Sequence, residues 1–142
     1  MKRSRRKTVC GAFGPDSAYR LLFERNPNPM YVFDEKTLRI LAVNRAMVRQ
    51  YGWSRGQFLR MTARDIRPRQ DLTRFLAAVK RQRGAQMTYG GTWQHRRKDG
   101  SLFDVEVDVS VVQFDSRPAR LVLVRDITER QQAEEDRKST RL

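Results

Sequence analysis

The stretch LVLVRDITER, Leu121–Arg130, decides how this chain ends its fold. Four aliphatic residues run straight into Arg-Asp-Ile-Thr-Glu-Arg, with no glycine or proline between them. A short apolar run of this kind reads as a buried strand, here Ala119–Arg125. Asp126 ends it, and Thr128 and Gln131 then have the spacing of a capping box, so a helix is expected from about Glu129. The abrupt edge is therefore a strand-to-helix exit. A carboxylate at that corner invites a cation from the neighbouring hairpin, with Arg97 and Lys98 as the candidates. An exposed pair is worth only about 0–1 kcal/mol. Its use would be to fix the angle at which the helix, through Ile127 and Thr128, leaves the sheet.

Upstream, Phe103, Val105, Val107, Val109 and Val111 alternate with Asp104, Glu106, Asp108 and Ser110. That is a strand with one face buried and one wet. Thr88–Lys98 reads as its partner, joined through Lys98-Asp-Gly-Ser, where Asp-Gly is a hairpin signal. Phe114-Asp-Ser-Arg-Pro turns the chain into the last strand. Three antiparallel strands thus close the domain.

The first half has a different rhythm. Ser17–Arg25 reads as a short helix stopped by Asn26-Pro-Asn-Pro, since proline removes a donor and disfavours helix before it. Met30–Asp34 and Leu38–Val43 read as a hairpin. Asn44 is placed to cap Arg45–Tyr51, with Gly52 just past its end. Ser54 and Gln57 have capping-box spacing for a second short helix, which Gly56 weakens. Asp71 is placed to cap a longer helix in which Leu72, Phe75, Leu76 and Val79 share a face. The expected architecture is α+β: one five-stranded antiparallel sheet with short helices on one face, an N-terminal cap helix and a C-terminal exit helix. Residues 1–16 read as a basic, disordered arm, 17–131 as the domain, and 132–142 as the start of a signalling helix with an irregular tail.

The chain has 142 residues and a net charge of +14. The arm contributes +4 through five Lys/Arg less Asp16, and the last seven residues +2. The remaining excess is spread over solvated faces, mostly as arginine, without a basic stripe interleaved with stacking aromatics. A nucleic-acid partner is accordingly not expected. No apolar run approaches the ~20 residues of a membrane span, and no apolar signal core follows the basic start. The single cysteine, Cys10, excludes an internal disulfide and suits a reducing, cytoplasmic setting.

Five short motifs occur in order: Met30-Tyr-Val-Phe-Asp, Leu41-Ala-Val-Asn, Tyr51-Gly-Trp-Ser followed by Arg64-Asp-Ile, RRKDGS (96–101) with the alternating strand after it, and RDITER (125–130). Together they resemble a PAS sensor domain of the bacterial S-box type over about residues 17–131. Gly56 and Ser116 depart from the family's usual residues. The resemblance implies a sheet cupping a small pocket under short helices, and a change passed through the exit helix to an effector absent from this chain, such as a histidine kinase or a diguanylate cyclase. It implies a role in two-component signalling, phosphorelay or regulation of transcription.

The residues narrow the chemistry. Cys10 lies outside the domain, which speaks against flavin or another chromophore bonded to cysteine. The helix of about 71–82 carries no histidine, which speaks against a His-ligated haem, and His95, beside Arg96 in a strand, reads as a surface residue. A noncovalent flavin or a small organic ligand stays open. With strict alternation, Val105, Val107 and Val109 face the helices together with Leu121 and Leu123, and Phe75 and Val79 close the pocket; aliphatic residues at these periods need no ligand to explain them, and the plainer reading is a dry core. Trp53 and Trp93 either line the pocket or pack. Asp104, Glu106 and Asp108 form a flat row that lacks the convergence of a metal site, and no phosphate-binding loop, nucleophile motif or nucleophile–His pair appears, so no catalysis is expected.

Tyr31, Phe33, Val122 and Val124 are then expected on the opposite sheet face. That leaves an apolar patch for the Ser17–Arg25 helix or for a second subunit of a homodimer. The segment Asp136–Leu142, Asp-Arg-Lys-Ser-Thr-Arg-Leu, resembles translated sequencing adapter, which leads to the expectation that the true reading frame is longer. The competing reading is a stand-alone DNA-associated transcriptional regulator that uses the basic arm.

Overall fold

The computed structural model describes residues 17–82 and 90–140. Helix α1 (Ser17–Arg25) is followed by strands β1 (Met30–Asp34) and β2 (Ile40–Val43), then helices α2 (Arg45–Tyr51) and α3 (Arg55–Phe58). Two single 3-10 turns (Ala63–Ile66 and Arg69–Asp71) lead into helix α4 (Leu72–Gln82). Strands β3 (Gly91–Arg96), β4 (Leu102–Phe114) and β5 (Arg117–Asp126) and helix α5 (Thr128–Thr140) complete the described chain. The five strands form one antiparallel sheet in the order β2-β1-β5-β4-β3. The last strand therefore sits at the centre, between the first hairpin and the β3–β4 hairpin.

Local chemistry explains most of the boundaries. Asn44 caps α2 by accepting from the Met47 N–H, and Gly52 ends that helix with a φ of +100°. The same Asn44 side chain accepts from Met30 N–H and donates to the carbonyls of Phe23 and Asn28, so one buried amide ties α1, β1 and α2 together. Ser54 and Gln57 make the reciprocal capping box of α3. Asp34 accepts from the N–H groups of Lys36 and Thr37, closing the β1–β2 turn.

Several expectations shift. Strand β2 starts at Ile40 rather than Leu38, because Leu38 takes a left-handed φ of +67° and Arg39 makes only an isolated bridge to Thr62. Asp71 lies in the 3-10 turn ahead of α4 and sits 4.0 Å from Arg74, and that turn has no side-chain cap. Strand β3 begins at Gly91; Thr88 and Tyr89, expected at its start, lie outside the described residues, as do the 1–16 arm and Cys10. Helix α5 continues through Thr140 instead of becoming irregular after Asp136, since good helix formers fill it and Glu134 pairs with Arg137 at 2.9 Å.

The largest correction concerns the phase of the sheet. Val109 lies opposite Val122 and Val107 opposite Val124, while Tyr31 pairs with Val122. The helix-facing side therefore carries Tyr31, Phe33, Val122 and Val124, all buried in the core with Val105 and Val107. Leu121 and Leu123, expected there, instead pair with Ser110 and Asp108 on the outer face, beside Val32 and Met30. Period-two alternation sets which residues share a face, but a one-residue change of phase exchanges the two faces. Arg120, in phase with Val122 and Val124, lies on the inner face as well, where it is buried.

Candidate functional site

A cavity of about 40 Å³ lies between α4 and the inner face of the sheet. Five residues singled out from the sequence line it: Phe75 and Val79 from α4, Trp93 from β3, and Val107 and Val109 from β4. Val105 is fully buried on the same face but belongs to the core beside the cavity. Trp53 packs on Phe58, with the Arg96 guanidinium 5.4 Å from its ring, and does not reach the cavity. Leu121 and Leu123 are on the wrong face to do so.

Sequence reasoning missed the polar part of the wall. Arg67, 6% exposed, stacks its guanidinium 3.7 Å from the centre of the Phe75 ring and donates to Ala63 O at 3.1 Å. Arg120, 4% exposed, donates through Nη2 to the Glu35 carboxylate and to Gln82 O. The Tyr31 hydroxyl, Arg67 Nε and Arg120 Nη1 are buried and have no hydrogen-bond partner among the described residues. Burial of charged residues is rare enough that an arginine before a proline, or within an apolar strand, reads as exposed. Nothing local marks either one as a cavity residue.

Gly90 marks one edge of the cavity, and it accepts from the Trp93 indole N–H at 3.0 Å. A Cβ at Gly90 would fall 2.1 Å from Val107 O, so only glycine allows the chain to approach β4 this closely. Trp93 is clamped further by Arg74, 3.8 Å from its ring, and by the edge of Phe75.

His95, expected at the surface, is fully buried. It stands on the inner face of β3 opposite Phe103, and its Nδ1 makes a 2.6 Å hydrogen bond with the Tyr51 hydroxyl. Burial, reinforced by the charge of Arg67, holds its pKa well below the ordinary histidine value. Burial likewise pushes the Tyr51 phenol well above its ordinary value, so both groups are neutral near pH 7. The error came from neighbouring Arg96: in a strand, adjacent residues face opposite sides, so a wet Arg96 argues for a buried His95.

The other end of β3 meets the exit. Arg97 lies 3.7 Å from Asp126, donates to Gln50 O at the end of α2, and stacks 3.9 Å from the Phe103 ring. Lys98 makes no pair with Asp126; its backbone N–H donates to Tyr51 O. Asp126 accepts from Thr128 N–H at 2.9 Å and so starts α5 itself. The expected capping box of Thr128 and Gln131 is replaced, because the Thr128 hydroxyl is taken up by the backbone of Asp104. Ile127 N–H also donates to Asp104 O, which pins the helix start to β4. On the outer face Glu106 and Asp108 are neutralised by Arg125, and Glu106 also by Arg130.

A family model described as a PAS domain matches residues 27–129. The chain belongs to the PAS domain family. Among solved structures, this PAS domain is similar to one from a two-component sensor histidine kinase, with 24% identity, 78% of this chain and 94% of that chain covered, and a TM-score of 0.65. It is similar to a domain of a sensory box sensor histidine kinase/response regulator from Geobacter sulfurreducens at 23% identity, with 78% and 92% covered and a TM-score of 0.65. A PAS domain from Colwellia psychrerythraea gives a TM-score of 0.71 at 19% identity, with 80% and 97% covered. No curated protein matches the chain. At these identities the likeness carries the fold, and the site has to be argued from this chain's own residues.

Among the described residues no helix is long and apolar enough to cross a membrane. The cavity is also far smaller than the roughly 300 Å³ at which pockets for cofactor-sized ligands begin.

Proposed function

We propose that this PAS domain is a non-catalytic sensory module, in which occupancy of the cavity is passed through β3 to the exit helix. One observation carries the reading. Strand β3 holds a cavity wall, Trp93, and runs directly into Arg97, which lies 3.7 Å from Asp126 at the start of α5. A ligand that displaces Trp93 moves the strand that carries His95 and leads into Arg97, and the strand cannot shift without disturbing the Asp126 corner. In this role Phe75, Val79, Trp93, Val107 and Val109 form the ligand-facing wall, and Arg97, Asp126, Ile127 and Thr128 form the outlet.

The receiver is an effector outside this chain, such as a histidine kinase or a diguanylate cyclase, in a cytoplasmic two-component system, phosphorelay or transcription-regulating pathway. Two copies pair through the outer sheet face, where Leu121 and Leu123 stand half-buried beside Met30, together with the flanking helices.

The test is hydrogen exchange at the backbone amides of residues 127–131 in the parent chain and in Ala78→Leu, which fills the cavity from α4. Faster or slower exchange at the outlet, with the rest of the sheet unchanged, supports the relay. An outlet that exchanges identically in the two proteins overturns it.

A further inference from the structure

The cavity wall contains a charge that no carboxylate among the described residues answers. Arg120 is neutralised by Glu35. Arg67 has no carboxylate within ion-pair distance among the described residues, although it is 6% exposed and lies against Phe75 and Trp93. A buried, unpaired guanidinium is one of the costliest arrangements a core can hold. Three buried donor-bearing atoms of this wall, Arg67 Nε, Arg120 Nη1 and the Tyr31 hydroxyl, also have no hydrogen-bond partner among the described residues. Buried polar groups are normally satisfied, and a cluster of orphans facing one cavity marks a missing partner.

We propose that the cavity is a binding site for a small monocarboxylate, held between Arg67 and Arg120. This rests on the sensory reading of the same cavity and specifies its ligand. The charge follows from the count of groups: one cation is uncompensated, so one negative charge completes the site, and a dianion leaves an excess. The shape follows from the donors. Guanidinium groups present planar forks that match the two oxygens of a carboxylate. The remaining wall, including Phe33, Phe75, Val109 and Val122, is apolar and suits a short hydrocarbon body.

Size sets the chain length. A cavity of about 40 Å³ corresponds to roughly three water-sized sites, which fits three or four non-hydrogen atoms. Acetate has four. Propionate requires a small outward shift of α4. So small a ligand binds no tighter than ~40 µM even at the best efficiency per atom. The site therefore reports an abundant acid rather than a trace signal.

The experiment is calorimetric titration of the full chain with sodium acetate from ~10 µM to ~20 mM, bracketing that limit, alongside acetamide, inorganic phosphate and sodium chloride. Saturable binding of acetate, with acetamide, phosphate and chloride inert, is the expected result. Arg67→Met keeps the packing length and removes the charge. It should lower acetate affinity at least tenfold, and without ligand its thermal midpoint should equal or exceed that of the parent. Should that variant fail to fold, Ala78→Leu serves in its place and should abolish binding by filling the cavity. No saturation by acetate, equal binding of acetamide, tighter binding of phosphate, or unchanged binding in the folded variant each overturns the proposal. The hydrogen-exchange comparison of the outlet stands apart from these results, so a failed ligand assignment and a failed relay are told apart.

Discussion

The hydroxyl of Tyr51 and Nδ1 of His95 lie 2.6 Å apart, and both side chains are all but excluded from solvent. The bond joins the last residue of α2 to the next-to-last residue of β3, two residues 44 apart in sequence. The edge of Phe103 packs on both rings, so the pair sits in an aromatic cage behind the exit corner.

This pair makes stability depend on pH. The folded-state pKa of His95 is depressed by burial, so below about 6.5 the unfolded chain binds a proton that the native state refuses. Stability is full above that value and falls as pH drops through it, by at most about 1.4 kcal/mol per pH unit for one proton. Urea midpoints of the parent should decline from pH 7.5 to pH 5 (about 2.5 units). His95→Gln, which offers Tyr51 a polar partner without a titrating group, should flatten that part of the profile. Parallel profiles would show that other groups control the acid limb.

The buried pair of Glu35 and Arg120 should behave asymmetrically. Glu35→Gln leaves a second unneutralised guanidinium in the wall and should cost about 3–5 kcal/mol. Glu35→Gln combined with Arg120→Met removes both charges and should recover most of that loss. Chemical denaturation of the two variants checks both values.

Asn44 is a junction as well as a cap. Asn44→Ala removes the acceptor of Met47 and Met30 N–H and the donors to two carbonyls, in a fully buried position. A cap alone is worth about 1 kcal/mol, and each buried group left unpaired adds about 1–3. The expected loss in urea unfolding is therefore about 3 kcal/mol or more.

Adjacent residues of β5 should respond oppositely to charge. Val124→Asp places a carboxylate in the core and should prevent folding at room temperature, at a cost of several kcal/mol (~5). Leu123→Asp places the same charge on the outer face and should leave the domain folded. If copies pair through that face, sedimentation should show Leu123→Asp as the weaker dimer.

The β4–β5 turn holds a removable strain. Asp115 and Ser116 both have positive φ, +50° and +66°, in a two-residue hairpin connection. Mirror-image turns of this kind favour glycine. Ser116→Gly should raise stability by about 0.5–1 kcal/mol, read as a higher thermal midpoint.

These results divide according to the range of the forces involved. Asn44 and Gly52 around α2, Ser54 with Gln57 ahead of α3, and Asp99-Gly100 between β3 and β4 were all legible from sequence. Each device is completed within a few residues, so the residues that make it are also the residues that announce it. The alternation of β4 was equally clear, because every second side chain must face water or core.

The sequence by itself thus determined the order of elements, the ends of most helices and the single antiparallel sheet. Only the tertiary structure decided which side of β1 and β5 is inside. LVLV has similar apolar volume on both faces, and its phase is set by pairing with β1 and β4, far away in sequence. The same long-range geometry buried His95 against Tyr51 and placed Arg120 against Glu35. It also left Arg67 in the cavity without a carboxylate among the described residues. Charge burial depends on partners that folding alone brings together, and local pattern contains no record of them.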